Sequence, residues 1–361
     1  MYADIIIDIT HEKLDKIFQY RIPSHLEGML KIGIEVLVPF GRSNKETKGY
    51  VTGIPETVDY DPGKVKEISG IVEGSIAIEA RMVALAAWMK EYYGGTMIQA
   101  LKTVIPIKKR ERTKEKRTVV LRLSDEEGRK RLEVYRRKNQ KARARVLEGL
   151  LEQPEQAYDL LTKKLHVTAA VIRTMEEQGV LEIRTQTMFR NPIHTRIRKS
   201  DPVTLTEEQK RAVDTFWQDY EEGKRGAYLV YGVTGSGKTE VYMEMIDRVL
   251  QRGKQAIVLI PEIALTYQTV MRFYGRFGDR VSILHSRMSQ GERYDQMERV
   301  KAGEVDVMIG PRSALFTPFD KLGLIVIDEE HEGTYKSEQV PRYHARETAL
   351  HRAEEEGASV V

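Results

Sequence analysis

The chain contains no cysteine in its 361 residues, so disulfides and thiolate metal sites are excluded within it, as suits a reducing cytoplasm. Long apolar runs are also missing. The longest fall far short of a bilayer span, and no membrane partner is expected. The amino terminus, MYADIIIDITHEKLDK, lacks the basic start, apolar core and small-residue cleavage site of a secretory signal. No internal repeat is present, and net charge is small, +4 with a pI near 8.9. What is present is 41% apolar and 31% charged residues, a soluble globular composition with a heavily ionised surface. The length suits two or three domains, each with its own core.

The positive charge is unevenly placed. KKRERTKEKR (Lys108 to Arg117) and RKRLEVYRRKNQKARAR (Arg129 to Arg145) concentrate it. Such runs either track a phosphate backbone or form a solvated linker and helix face. Residues 1–105 hold short Ile/Val/Tyr-rich runs (YADIIIDI, IFQYRI, IEVLVPFG, KGYVTGI) between Gly, Pro and Asn turns, which predict a small β-rich domain. A helical pattern, AIEARMVALAAWMKEYYGG, closes it at Gly94 and Gly95. Residues 106–139 read as a basic linker.

From 140 to 190 the spacing predicts three helices, KARARVLEGLLEQ, AYDLLTKKL and TAAVIRTMEEQ, the last capped by Thr168. Gly179 ends that helix and a strand, VLEIRTQTMF, follows it. The layout resembles a winged helix, whose third helix usually enters a DNA major groove, although such modules also bind proteins. Residues 191–204 read as a second linker. From 205 to 361 strands (GAYLVYGV, AIVLIPE, RVSILHS, VDVMIG, LGLIVIDEE, ASVV) alternate with helices, which predicts a parallel sheet covered on both faces.

Two motifs in that block carry chemistry. GVTGSGKT, comprising Gly232, Val233, Thr234, Gly235, Ser236, Gly237, Lys238 and Thr239, fits the phosphate-loop pattern between an apolar strand and a helix. Backbone N–H groups would cradle phosphate oxygens, Lys238 would reach the β and γ phosphates, and Thr239 would hold Mg²⁺. The alternative is a Gly-rich turn without ligand. In LIVIDEEHEGTYKSEQVPRYHARE, Asp328, Glu329, Glu330 and His331 end an apolar strand. Strand tips in a parallel sheet face the ligand crevice, so Asp328 would hold Mg²⁺ and Glu329 would orient water. A solvent-capped strand end is the alternative.

Together these motifs look like the nucleotide site of superfamily 2 helicases, with a P-loop RecA-like lobe. The segments LTEEQKRAVD, LIPEIALTYQ, ILHS and IGPRSALFTPF narrow the match. The chain resembles the bacterial primosomal protein N′ (PriA) family of replication-restart helicases over its whole length. That resemblance implies an ATP- and Mg²⁺-dependent 3′–5′ DNA helicase acting on forked DNA with single-stranded regions; the alternatives are another superfamily 2 DNA translocase and a fork-binding scaffold that does not use ATP. It also implies as partners primosome proteins, single-stranded DNA-binding protein and the replicative helicase loader, at the nucleoid.

The same resemblance implies site residues. Gln209 would contact adenine and His331 would relay to the nucleotide. Arg312, Ser313, Tyr335, Lys336, Arg342 and Tyr343 would touch DNA, the tyrosines by stacking in an aromatic-rich loop. Phe18, Gln19, Tyr20, Gly41 and Lys66 would form a pocket for a 3′ terminus. Gln19 stands where the family often has Asp, so a neutral carbonyl would replace a carboxylate acceptor. The family continues beyond the point matched by Val361 into a second helicase lobe and a cysteine-rich zinc segment, so zinc is expected only there and the chain reads as an amino-terminal portion.

Overall fold

The structure is a computed structural model that describes residues 1–75, 77–105, 114–164, 167–188 and 203–361. The linker expected at 191–204 and the start of the basic run at Lys108 lie almost wholly outside the described residues. Two compact units are present, one combining Met1–Glu111 with Asn191–Val361 and the other Arg112–Arg190.

The first unit begins with strands β1 (Tyr2–Ile7), β2 (Phe18–Arg21), β3 (Glu35–Phe40), β4 (Lys45–Gly53) and β5 (Gly70–Ile71). They form an antiparallel sheet in the order β2-β1-β4-β3-β5. Alternation puts Ala3, Ile5 and Ile7 of β1 in one core with Tyr20, Val36, Val38 and Val51. Helices α1 (Ala80–Tyr93) and α2 (Met97–Val104) follow. Gly94 and Gly95 stop α1 at φ of 77° and 92°, a conformation that side chains with a Cβ avoid. A capping box between Thr96 and Gln99 starts α2.

The second unit corrects the sequence reading. The stretch read as a basic linker forms strand β6 (Lys114–Leu121) and helix α3 (Asp125–Arg137). After α4 (Lys141–Glu152) come β7 (Glu155–Ala157), α5 (Tyr158–Lys164), α6 (Ala169–Glu177) and β8 (Leu181–Met188). The antiparallel sheet has the order β7-β6-β8, with β6 in the middle. The physical reason is burial hidden under charge: Gly128, Leu132 and Tyr135 of α3 recur on one helical face and are buried. Val119 of β6 is buried in the same core as Leu147, Leu150, Ile172 and Met175. Thr168 occupies the position before α6, but its side chain makes no capping hydrogen bond.

The chain then returns to the first unit through α7 (Glu207–Glu221), α8 (Lys238–Gln251), β9 (Gln255–Leu259), α9 (Tyr267–Phe277), β10 (Val281–Ile283), α10 (Gln290–Lys301), β11 (Val307–Gly310), β12 (Leu322–Ile327), α11 (Ala345–Glu356) and β13 (Ser359–Val360). The sheet is parallel in the order β10-β11-β9-β12-β13. All six residues of β12 are buried, as an interior strand of a sheet covered on both faces requires. The expected strand GAYLVYGV forms only an isolated bridge, Ala227 to Val360. Leu229 and Tyr231 within it are exposed at 76% and 95%. No helix among the described residues is long and apolar enough to cross a membrane.

Candidate nucleotide and nucleic-acid site

The loop from Gly232 runs straight into α8, and left-handed glycines shape it. Gly235 and Gly237 have φ of 82° and 80°, and a Cβ on Gly237 would lie 2.4 Å from Gln209 Nε2. Only glycine fits there without displacement. Lys238 Nζ is folded back on the loop, donating to Gly232 O at 2.8 Å and Val233 O at 3.3 Å. An ammonium held on two carbonyls in this way can move to a stronger anionic acceptor. Gln209, the expected adenine contact, sits against this loop. Its carbonyl accepts from Thr206 N at 2.9 Å in a capping box, and its amide donates to Ser236 O at 2.9 Å. In this structure it braces the phosphate loop.

Tyr242, one turn along α8 from Thr239, joins the two motifs. Its hydroxyl donates to Asp328 Oδ2 at 3.2 Å, and the Thr239 side chain lies beside it. Thr239 and Asp328, expected as the Mg²⁺ pair, are thus gathered around one buried phenol. Sequence reading missed Tyr242; the signal available was its i+3 spacing from Thr239 on the same helix face. Among the described residues no three His, Cys, Asp or Glu side chains cluster as a metal cage. Mg²⁺ usually takes only one or two protein oxygens beside phosphates and water, and a threonine hydroxyl with a carboxylate suits that demand.

Burial raises the Asp328 carboxyl above its ordinary value, with the Glu329 charge adding to the rise. A carboxyl whose pKa rises on folding contributes most to stability below its unfolded pKa, and that contribution is lost as pH rises through the folded pKa. Asp328→Asn is therefore expected to raise the urea midpoint of the ligand-free protein at pH 7. The gain should vanish below about pH 4, where wild type is protonated too. Urea titrations at the two pH values check this; equal midpoints at pH 7 would contradict it.

Glu329 follows with φ of 49°, a left-handed conformation uncommon for a residue with a side chain and of a kind that clusters at active sites. Its carboxylate lies 3.8 Å from His331 Nδ1, and the imidazole is largely exposed. Glu330 is paired with Arg346 at 2.7 Å.

The loop beyond His331 departs most from expectation. Tyr335 is 1% exposed, its hydroxyl on Asp328 O at 2.7 Å and Leu259 O at 2.9 Å. Tyr343 is 4% exposed, packed edge-on to Phe316 at 5.4 Å and in the same core as α1 and α2. Neither ring presents a face to nucleic acid in this structure, because each fills core volume beside the strand tips. Arg312 donates to Thr334 O at 2.8 Å and Lys336 O at 2.9 Å, and so holds the loop closed. Ser313, Lys336 and Arg342 are exposed, with Lys336 Nζ 5.5 Å over the Tyr93 ring.

In the amino-terminal sheet Phe18 and Tyr20 share one face of β2, packed on the core, and Gln19 points to the other. Phe18 meets Phe40 edge-on at 5.1 Å. Burial pushes the Tyr20 hydroxyl up to about 12, and that hydroxyl donates to Pro39 O. Gln19 is fully engaged, donating to Asp4 Oδ1 at 3.0 Å and accepting from Asp59 N at 3.0 Å. Lys66 Nζ donates to Gly41 O at 2.8 Å. The structure thus brings Lys66 and Gly41 together but divides the other three positions between two faces.

Residues 4–106 match the family model described as the 3′DNA-binding domain (3′BD) of PriA, and residues 202–351 match that of the type III restriction enzyme res subunit. The whole chain aligns at 33% identity with the replication restart protein PriA of Bacillus subtilis (strain 168), covering 52% of that protein. It aligns at 32% with the Chlamydia muridarum protein of the same name, covering 48% of it. With that of Haemophilus influenzae, 96% of the chain aligns at 33% identity over 47% of the relative. Among solved structures, a hypothetical ATP-dependent RNA helicase from Sulfolobus tokodaii aligns with 44% of this chain and 45% of its own, at 21% identity and a TM-score of 0.32. The chain spans about half the length of the curated relatives it matches. With a PriA-type domain at one end and PriA relatives aligned along its full length, the chain belongs to the PriA family of replication restart proteins and corresponds to their amino-terminal portion.

Proposed function

We propose that the chain is the DNA-binding and ATP-binding portion of an ATP-dependent helicase that moves 3′ to 5′ at stalled or abandoned replication forks and directs primosome assembly for restart. The observation that supports this best is the Tyr242 hydroxyl of α8, which reaches from the helix that begins at the phosphate loop to donate to Asp328 at the strand end. In this reading Lys238 leaves the loop carbonyls for the β and γ phosphates, and Thr239 and Asp328 hold Mg²⁺. Glu329 orients the attacking water, and His331 beside it relays the state of the site. Gln209 keeps the loop in shape under the adenine end of ATP.

The amino-terminal sheet is the fork-reading part, with Lys66 and Gly41 at the pocket for a 3′ terminus and Gln19 forming its wall. The 114–188 unit acts as a winged-helix module. Partners are single-stranded DNA-binding protein, other primosome proteins and the replicative helicase loader, in the cytoplasm at the nucleoid. Fluorescence anisotropy at fixed salt tests the fork assignment. A labelled fork with a free 3′ hydroxyl is expected to bind about tenfold tighter than a blunt duplex of equal length, roughly 1.4 kcal/mol. Equal affinities would contradict fork recognition.

A further inference from the structure

Between Arg129 and Arg145 there are nine cations and one carboxylate, Glu133. The fold sorts them. At the start of α3, Arg129 pairs with Asp125 and Lys130 with Glu126. Further along, Arg136 pairs with Glu148 and Arg137 with Glu133. Arg143 is half-buried, its guanidinium over the Tyr135 ring and on Gln140 Oε1. Arg131, Lys138, Lys141 and Arg145 remain, all exposed and without an ion-pair partner among the described residues.

Their spacing makes one surface of them. Arg131 and Lys138 are seven residues apart, on the same side of α3 or its immediate extension. Lys141 and Arg145 are four apart on α4, on the side away from Leu147 and Leu150. Only Lys138, Asn139 and Gln140 separate the two helices. The acidic first turn of α3 (Asp125, Glu126, Glu127) stands at the opposite end, about 18 Å away at 1.5 Å per residue. Positive charge is therefore concentrated at the α3–α4 corner. By contrast α6, the helix expected to enter a major groove, carries a single cation, Arg173, paired with Glu177, and Glu176 beside it.

We propose that this unit meets duplex DNA through the α3–α4 corner, with Arg131, Lys138, Lys141 and Arg145 on the sugar-phosphate backbone, and without α6 in the groove. The contact is independent of base sequence, since long flexible cations on the sugar-phosphate backbone position a duplex and do not read it. It serves to hold the duplex arm while the other unit reads the junction, and it rests on the reading of the chain as a DNA-binding protein.

The test uses the whole chain, with Arg131→Gln, Lys138→Gln, Lys141→Gln and Arg145→Gln combined, and with Arg173→Gln alone. Affinity for a blunt 20-base-pair duplex is measured by anisotropy across a salt series, after circular dichroism has matched the variants to wild type. Each phosphate contact contributes about 0.9 to the log–log salt slope, so the fourfold variant should lose about 3 to 4 from it and bind at least about a hundredfold more weakly near 0.1 M salt. Arg173→Gln should leave the slope unchanged.

An unchanged slope in the fourfold variant, with wild type binding normally, would overturn the corner assignment and leave the DNA-binding reading standing. Loss of slope in Arg173→Gln alone would return the contact to α6. Loss of poly-glutamate binding with the duplex slope intact would make the corner a protein surface. A wild-type chain that binds no duplex at low salt would overturn both the corner and the reading beneath it.

Discussion

Replacing Tyr335 and Tyr343 together by alanine is expected to unfold the first unit under conditions where wild type is folded, and not merely to weaken its response to DNA. Each ring is almost fully buried. Truncating a large buried aromatic costs about 3 to 5 kcal/mol in lost transfer energy and residual cavity. Lys336 bridges to His344 beside the two rings, so the sites are close enough to couple and the pair should cost about 5 to 8 kcal/mol. That is comparable with the whole stability of a typical domain.

The conservative variant separates packing from hydrogen bonding. Tyr335→Phe keeps the ring but withdraws the hydroxyl from Asp328 O and Leu259 O, which should cost about 1 to 2 kcal/mol. Urea denaturation reads both effects. Wild-type midpoints in the alanine pair, accompanied by loss of DNA binding, would show that these tyrosines stand outside the core and stack on bases.

The burial of these tyrosines was not legible in the chain, for a physical reason. An aromatic next to lysine and arginine reads as a solvent-facing stacker, because the neighbours that enclose it are distant in sequence: Phe316 after β11 together with α1 and α2 for Tyr343, and the cluster that holds Leu259 and Phe319 for Tyr335. Local pattern carries no trace of such contacts. The linker reading over 114–139 has the opposite character. The i, i+4, i+7 recurrence of Gly128, Leu132 and Tyr135 and the capping box of Ser124 with Glu127 are both present in the sequence, under a charge density that by itself reads as a solvated linker.

GAYLVYGV misled in a third way. Its apolar run marks a strand, but in the structure it forms only an isolated bridge, and Leu229 and Tyr231 stand in solvent. The phosphate loop was readable because its chemistry needs particular residues at fixed spacing. Gly237 takes a left-handed φ of 80° that a residue with a Cβ avoids, and Lys238 begins the helix that aims it. The strand-end carboxylates were legible for the same reason. The brace that unites them with the loop, Tyr242, was not, since nothing in its spelling separates it from an ordinary core tyrosine.

Lys238→Ala follows from that geometry and should have the largest effect on binding. Lys238 is half-buried at the mouth of α8 and bonded only to the backbone of its own loop, so its removal should leave the fold intact. A charge-assisted bond to phosphate contributes roughly 2 to 3 kcal/mol, so its loss should weaken Mg²⁺-ATP binding by about a hundredfold. Isothermal titration of wild type and Lys238→Ala with Mg²⁺-ATP, at matched urea midpoints, should give a saturable isotherm for the first and almost no heat for the second. Equal isotherms would contradict the assignment of this loop and the strand-end carboxylates as a nucleotide site.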